Sequence, residues 1–318
     1  MRAPGILDLA LFWFICPLAA PVRICAFNAQ RFGETKMAKI TIRNTIVQIL
    51  TRCDICLLQE VQDARGRAIP ALMKELNRVH GSEVFAHISS AALGRKSYQE
   101  KYVFVYRSDR AEVTDSYQYE DNHPEKPDVF AREPFIVRFH LPTTAVKDLV
   151  LVPQHTSPQD AVKEIDALYD VFQAVKERWK PKGIMLLGDF NADCDYVAKK
   201  RWPQIRLRVE PSLTWLIGDE VDTTVRANTN CAYDRIVIYG EKLAREIVLG
   251  SARAYDFPQS LGLSEAEALE VSDHYPVEVQ LNSVQLGKNG QNHLLVPTTL
   301  ILLLTASLGL GLLTQSFL

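Results

Sequence analysis

Short apolar runs rich in β-branched and aromatic residues recur along the middle of the chain, each closed by turn residues. Arg23–Asn28, Ile55–Leu58, Tyr102–Tyr106, Pro134–Phe139, Leu149–Pro153, Gly183–Leu187, Arg235–Tyr239 and Val277–Leu281 carry this signature and are predicted strands. A helical period appears in Ile42–Leu50, in Ala68–Asn77 and most clearly in Pro158–Trp179. In the last of these, Ala161, Ile165, Leu168, Phe172 and Val175 form one stripe, and Ser157-Pro158 with the acidic residues that follow suits a helix N-terminus. Strands outnumber helices and often follow one another directly, which predicts two sheets packed together with helices outside.

The two ends follow a different pattern. Residues 1–20 begin with Arg2, continue through the apolar Leu9–Leu18 and close on Ala19-Ala20, the order of a secretory signal peptide. After Lys288 no charged residue remains, and Leu294–Leu318 is almost continuously apolar, long enough for a span of roughly 20 residues. No Lys or Arg follows it, as a stop-transfer helix would normally require. A polar stretch from Gln285 to His293 precedes the tail, and Asn282, Ser283 or Gly287 offers a small attachment residue. That order is expected of a glycosylphosphatidylinositol (GPI) signal, with a tail-anchored helix as the alternative. The expected organisation is a signal peptide at 1–20, one catalytic domain at 21–282, and a spacer with a hydrophobic tail at 283–318. The middle segment has no repeat and no Gly/Ser/Pro linker, and its roughly 260 residues suit a single domain.

Composition narrows the class. The chain has 318 residues, is 47% apolar and 23% charged, and has a mean hydropathy of -0.06, which excludes a disordered polyelectrolyte and a polytopic membrane protein. Lys+Arg 36 against Asp+Glu 38 gives a net charge of -2, so any affinity for nucleic acid must come from local charge. Five cysteines remain beyond the signal peptide. Cys194 and Cys231 sit in polar loops and suit a disulfide, whereas Cys53-Asp-Ile-Cys56 has redox or zinc spacing without a second pair. Because it runs into an apolar strand, it reads as buried free thiols.

The most informative polar residues stand at the strand ends. Arg23–Asn28 ends on an amide, Cys56–Glu60 on a carboxylate, Leu151–His155 on an imidazole, and Met185–Asn191 on Asp189 and Asn191. Cys231–Arg235 opens a strand with Asp234, and Ser272-Asp273-His274-Tyr275 precedes the last. Polar groups at strand ends can gather on one rim of a sheet, and Asn, Glu, Asp and His together suit a hard divalent ion and proton transfer.

These segments, with Leu58-Gln59-Glu60-Val61, Ser97-Tyr98-Gln99-Glu100, Arg132-Glu133-Pro134 and Cys231-Ala232-Tyr233-Asp234-Arg235, resemble the deoxyribonuclease I family. The resemblance runs from about Arg23 to Leu281. Gly-Asp-Phe-Asn and Ser-Asp-His mark the broader endonuclease/exonuclease/phosphatase superfamily. The Cys-Ala-Tyr-Asp-Arg, Arg-Glu-Pro and Leu168–Val171 segments narrow it to the deoxyribonuclease I branch. The apolar tail and residues 129–135 look most like a membrane-anchored member. The implied fold is α+β: a four-layer αββα sandwich of two packed mixed β-sheets with helices outside.

The resemblance also implies roles. Glu60 would be the principal Mg²⁺ (or Mn²⁺) carboxylate, assisted by Asn28 and Asp273. Asp189 and Asn191 would hold the scissile phosphate, a second metal, or both. His155 and His274 would form the acid–base pair, oriented by Glu100 and Asp234. Arg132 and Tyr98 would contact DNA, while the basic run Lys199-Lys200-Arg201 with Arg206 and Arg208 reads equally as DNA contact or as a solvated turn. Gln30 and Gln62 stand where some members carry Arg. Asp128 and Glu133, with Asp121 and the Phe130 carbonyl, match one Ca²⁺ loop, and Asp222 and Thr224 match a second. The Cys194–Cys231 disulfide is shared with the family. The expected product ends are 5′-phosphates. The expected partners are DNA and a membrane, the expected site of action is the endoplasmic reticulum and cell surface, and the expected state is monomeric. The actin-contact segment near Phe85–Ser89 matches too loosely to transfer. Arg132, Tyr98 and the Cys-Ala-Tyr-Asp-Arg segment argue against a same-fold phosphatase or sphingomyelinase-like enzyme. Retention of Glu60, His155, Asp234 and His274 argues against an inactive surface protein.

Overall fold

The computed structural model describes residues 20–95, 97–122, 128–286 and 292–293. The chain divides into two units, one spanning Pro21–Asn282 and the other combining Met1–Ala20 with Ser283–Leu318. In the second, Gln285–Leu286 pairs antiparallel with Asn292–His293. The proposed signal peptide up to residue 19 and the apolar tail from Leu294 lie outside the described residues, as do Lys96 and residues 123–127. Among the described residues no helix is long and apolar enough to cross a membrane.

The unit Pro21–Asn282 runs β1 (Val22–Phe32), α1 (Glu34–Ala38), α2 (Ile40–Leu50), β2 (Ile55–Val61), α3 (Ala68–His80), β3 (Phe85–Ser89), β4 (Lys101–Arg107) and β5 (Glu112–Gln118). It continues through β6 (Phe135–His140), β7 (Asp148–Pro153), α4 (Ala161–Trp179), β8 (Ile184–Asp189), a 3-10 turn at Lys199–Gln204, α5 (Arg206–Val209), β9 (Leu213–Trp215) and β10 (Asp234–Tyr239). It closes with α6 (Glu241–Glu246), β11 (Arg253–Ala254), α7 (Phe257–Leu261), α8 (Glu265–Val271) and β12 (Val277–Leu281). Two six-stranded sheets result, ordered β11-β12-β1-β2-β4-β3 and β5-β6-β7-β8-β10-β9. Both are mixed: β1–β2 and β7–β8 are parallel, and the remaining pairs are antiparallel.

Strand alternation explains the layers. In β1, Val22, Ile24 and Ala26 pack between the sheets, while Cys25, Phe27 and Ala29 face a second core shared with α2, α3 and α8. In β8, Met185 and Leu187 face the inter-sheet core, while Ile184 and Leu186 face a third core with the α4 stripe. A strand covered on both faces is apolar at both parities, so the central strands read as continuous runs. All eight strands expected from sequence form. The four edge strands, β3, β5, β9 and β11, carry no such signature, because they are short or bury little and alternation fades where solvent meets one face and one edge.

Two expectations are corrected. Helix α4 begins at Ala161 rather than at Pro158, because Ser157–Asp160 forms a preceding turn. The Glu164 carboxylate accepts the Ser157 N–H at 3.0 Å, which folds that turn back onto the helix. The second correction is that Cys53 is not a free thiol. It bonds to Cys25 with the Cα atoms 6.1 Å apart, a normal disulfide separation. Cys25 on β1 and Cys53 just before β2 enter the same core on one face of the sheet, and they bond to each other rather than within the Cys-x-x-Cys segment. Cys56 stays buried as a free thiol, with its pKa raised by burial. The Cys194–Cys231 disulfide forms as expected.

Candidate active site

The inward parity of the strands continues past the apolar residues to one end of the sandwich, and there it turns polar. Asn28 follows Ile24 and Ala26; Gln59 follows Ile55 and Leu57; Glu100 precedes Tyr102 and Phe104. On the other sheet His155 follows Leu149 and Leu151, Asp189 follows Met185 and Leu187, and Asp234 precedes Ile236 and Ile238. Six polar side chains therefore cap the open end of the inter-sheet layer. All six are buried. Groups of this kind persist in a dry layer only when hydrogen-bonded to one another.

Each imidazole is held by a carboxylate from the opposite sheet. His155 Nδ1, beyond β7, is 2.6 Å from Glu100 Oε1, just before β4. His274 Nδ1, just before β12, is 2.7 Å from Asp234 Oδ2 at the start of β10. With each Nδ1 committed, the two Nε2 atoms remain for chemistry. Both lie 3.6 Å from the same oxygen, Asp189 Oδ2, which also accepts the Asn28 amide at 3.1 Å. Burial lowers an imidazole pKa, but Glu100 outweighs it at His155, whose pKa is raised. Burial acts likewise on His274, and Asp234 and Asp189 lift it to about 10. Asp189 is held below the usual carboxylate range: burial works against this, but the two imidazoles prevail.

Beside this pair a cleft of about 620 Å³ is lined by Arg31, Lys36, Glu60, Tyr98, Arg132, His155 and Asp273, among others. Glu60 sits at a positive φ of 56° at the end of β2, a backbone state that costs about 1–3 kcal/mol and persists only where the surroundings over-determine it. Here they do. Glu60 Oε1 accepts the Asn28 amide at 3.1 Å, and Oε2 accepts the Arg31 N–H at 3.0 Å and the Tyr98 hydroxyl at 3.1 Å. Asn191, also at positive φ, donates its amide to Thr156 O at 3.0 Å. Ser272 Oγ donates to Asn28 O at 2.6 Å and so ties the Asp273–His274 loop to β1.

Several residues that support the site were not singled out from sequence. Gln59 joins the sheets: its amide donates to Gln154 O at 2.7 Å, and its Oε1 accepts the Asp189 N–H at 2.9 Å. Gly188 permits that approach, since at its φ of 128° any Cβ would collide with Gln154 O and the Gln59 amide. Lys36 Nζ donates to Ala29 O at 3.0 Å and Val271 O at 2.6 Å. Arg235 is fully buried, and its two terminal nitrogens donate to Ile217 O, Asp219 and Ala192 O, which gives an Arg directly after Asp234 a structural place.

Arg132 and Tyr98 differ in availability. Tyr98 is 40% exposed, whereas Arg132 is 7% exposed, donates to His155 O at 2.9 Å and lies 3.5 Å from Glu100. Arg206 is committed to Asp166 and Asp170, and Arg208 to Asp219, which leaves Lys199, Lys200 and Arg201 as the exposed part of the basic run. Of the residues matched to Ca²⁺ loops, Asp128 lies 3.6 Å from Arg95, and Asp121 Oδ2 accepts the Phe130 N–H at 2.7 Å. Glu133 contributes its carbonyl to Gln118. Asp222 Oδ1 accepts from Thr224 Oγ1 at 2.6 Å and from the N–H groups of Thr224 and Cys231. Among the described residues, the imidazole and carboxylates that converge closely enough to share one ion are Asp189, Asp234 and His274.

Residues 25–274 match the family model described as Endonuclease/Exonuclease/phosphatase family. The chain belongs to that family. Relatives place it in the deoxyribonuclease I branch: it is 50% identical to human deoxyribonuclease-1-like 1 over 94% of this chain and 95% of that protein. It is 46% identical to human deoxyribonuclease gamma over 86% of this chain and 90% of that one. Solved structures share the fold at much lower identity. Zebrafish (D. rerio) TDP2 complexed with a single-strand DNA product superposes with a TM-score of 0.56 at 15% identity, covering 83% of this chain and 100% of that one. The human Nocturnin catalytic domain gives 0.53 at 16% identity, covering 83% and 94%. Two mixed sheets with helices outside are the four-layer α+β sandwich of this family.

Proposed function

We propose that this protein is a divalent-metal-dependent endodeoxyribonuclease that hydrolyses DNA to 5′-phosphate and 3′-hydroxyl ends. The observation that carries the reading is the pair of imidazoles, each with Nδ1 fixed by a buried carboxylate and Nε2 turned to the common Asp189 oxygen. The names of the deoxyribonuclease relatives support DNA as the substrate.

The donor set fits a hard cation. Glu60, Asp273, Asp189, Glu100 and Asp234 place five carboxylates in or beneath the cleft, and a bound positive ion would reduce their repulsion of phosphate. Glu60, Asp273 and Asn28 would hold Mg²⁺ or Mn²⁺, which when bound would draw charge from a phosphoryl oxygen. The remaining steps belong to the protein. One Nε2 accepts a proton from water as its oxygen bonds to phosphorus. The other donates a proton to the departing 3′-oxygen as the P–O3′ bond breaks. Glu100 and Asp234 hold each ring in the tautomer that leaves Nε2 available and stabilise its protonated form. Asp189 and Asn191 border the position of the phosphate, Arg132 braces the His155 loop, and Tyr98 offers its ring to the minor-groove side of the substrate.

Asp128, Glu133, Asp222 and Thr224 are proposed Ca²⁺ ligands with a structural role. Synthesis into the secretory pathway, and retention at the endoplasmic reticulum and cell surface by a GPI anchor, complete the proposal. The enzymatic part is tested by plasmid nicking with residues 21–282 in Mg²⁺, in Mg²⁺ plus Ca²⁺, and in chelator. Nicking that needs the metal is expected; no nicking in any condition overturns the reading. Release of the full-length protein from cells by a phosphatidylinositol-specific phospholipase distinguishes the anchor from a spanning tail.

A further inference from the structure

Three cations line the cleft, and two are already committed. Lys36 is spent on the Ala29 and Val271 carbonyls, and the 7%-exposed Arg132 is held through its Nε, which donates to the His155 carbonyl and lies beside Glu100. The third, Arg31, is exposed, and its guanidinium has no hydrogen bond or ion pair among the described residues. Its main chain is the opposite of free. Gln30 and Arg31 both adopt left-handed backbone, at φ 41° and 53°, where the pairing of β1 with β2 slips between Asn28 and Phe32. An irregularity of this kind re-aims a side chain and is common beside active sites. The Gln30 N–H is held by Asn28 Oδ1 at 3.0 Å, and the Arg31 N–H by Glu60 Oε2 at 3.0 Å. A fixed backbone with an unpaired, exposed cation at its tip is the arrangement expected of a group reserved for a ligand.

We propose that Arg31 is the phosphate-gripping cation of this cleft, binding a DNA phosphate next to the one that is cleaved. The inference rests on the endodeoxyribonuclease reading. Glu60 Oε2 is shared by the Arg31 N–H and the Tyr98 hydroxyl, so these residues flank the proposed metal carboxylate from two directions. A strand whose cleaved phosphate lies at Glu60 then passes Arg31 on one bank and Tyr98 on the other. The guanidinium is the right group, because its fork pairs with two phosphate oxygens at once. The contact is to the backbone, so it confers affinity independent of base sequence.

The test uses the full-length enzyme and its Arg31→Gln and Arg31→Lys variants, with Arg245→Gln as a control from the exposed surface of α6. Cleavage of duplex DNA is measured against salt, and hydrolysis of the small ester bis(p-nitrophenyl) phosphate is measured in parallel. For Arg31→Gln, kcat/KM on DNA falls about tenfold at about 0.15 M salt, mainly through KM. The slope of log(kcat/KM) against log[salt] becomes shallower by about 0.9, the value for one lost phosphate contact. Arg31→Lys keeps the slope, Arg245→Gln changes nothing, and the small ester is hydrolysed at the wild-type rate by every variant. An unchanged slope and KM in Arg31→Gln overturns the proposal. So does an equal loss on DNA and on the small ester, which would make Arg31 a brace for Glu60. Failure of the wild-type enzyme to cleave DNA would instead overturn the underlying functional reading.

Discussion

Glu164 offers a measurable link between the core and the active-site loops. It lies on α4 with no exposed surface, and burial raises its carboxyl pKa from the ordinary 4.5 to about 7. The raised value belongs to the folded state, so the sign is clear: folding favours the protonated form. This contribution to stability is complete below about pH 4.5, declines as pH rises through 7, and is absent above it. The interval from 4.5 to about 7 corresponds to about 3 kcal/mol, most of it lost between pH 5 and 8. Glu164→Gln removes the titration at nearly constant shape. The new amide can still accept from Ser157 or Ala131, and its NH₂ can donate to Gln154 Oε1, a buried atom with no other partner among the described residues, once the Gln154 amide turns over.

Wild-type and Glu164→Gln proteins unfolded by urea from pH 5 to pH 8, with chelator present, should therefore diverge. The variant should gain about 2–3 kcal/mol relative to wild type as pH rises, or about 5–10 °C in melting temperature for a domain of this size. Parallel stability curves would refute the reasoning, because a carboxylate that stays ionised across this range gives no such divergence.

Other changes bear on the catalytic groups and the disulfides. Glu100→Gln and Asp234→Asn should each lower kcat by about 10²–10⁴-fold while the circular dichroism spectrum is preserved, since each leaves one imidazole without its anion. His155→Ala or His274→Ala should lose at least as much, and near-normal DNA cleavage by either folded variant would remove that histidine from the mechanism. Cys25→Ser with Cys53→Ser should cost about 3–4 kcal/mol of stability, given a loop closed over 28 residues, without lowering kcat. The denatured, unreduced 21–282 domain should titrate one thiol, that of Cys56; three thiols would contradict the Cys25–Cys53 bond.

Much of the site was legible in sequence because it obeys strand parity. Asn28, Gln59, Glu100, His155, Asp189 and Asp234 stand in phase with the apolar residues that fill the inter-sheet layer. A polar residue in phase with a buried face, at the end of a strand, must find a partner, and here the partner lies on the facing sheet. Gln59 follows the same rule, although the neighbouring Glu60 carries the more conspicuous charge. Glu60 itself breaks the phase, and its positive φ accounts for its position at the cleft. What sequence did not show was tertiary. Whether Arg132 is free depends on where Glu100 and the His155 carbonyl lie. Cys25, Cys53 and Cys56 all enter one core, so which two of them bond depends on their approach in three dimensions, and spacing within the chain carries no such information.

The cross-sheet arrangement has a consequence for how the activity is maintained. His155 and Asp234 belong to one sheet and Glu100 and His274 to the other, so neither dyad can form within a single layer. Sliding one sheet over the other by one residue, about 3.3 Å, would carry each imidazole out of hydrogen-bond reach of its carboxylate. Registry between the layers is set near the site by Gln59, and below it by a tightly packed inter-sheet core that includes Phe104 against Phe139, with ring centroids 5.8 Å apart. Close packing resists sliding more strongly than any single hydrogen bond, since a shift of the interface disturbs many contacts at once. The apolar layer thus acts as the rigid frame of the acid–base pair. It also explains how a chain with a net charge of -2 can concentrate five carboxylates at one rim: they stand where the fold holds two imidazoles, and where a bound cation would complete the charge balance.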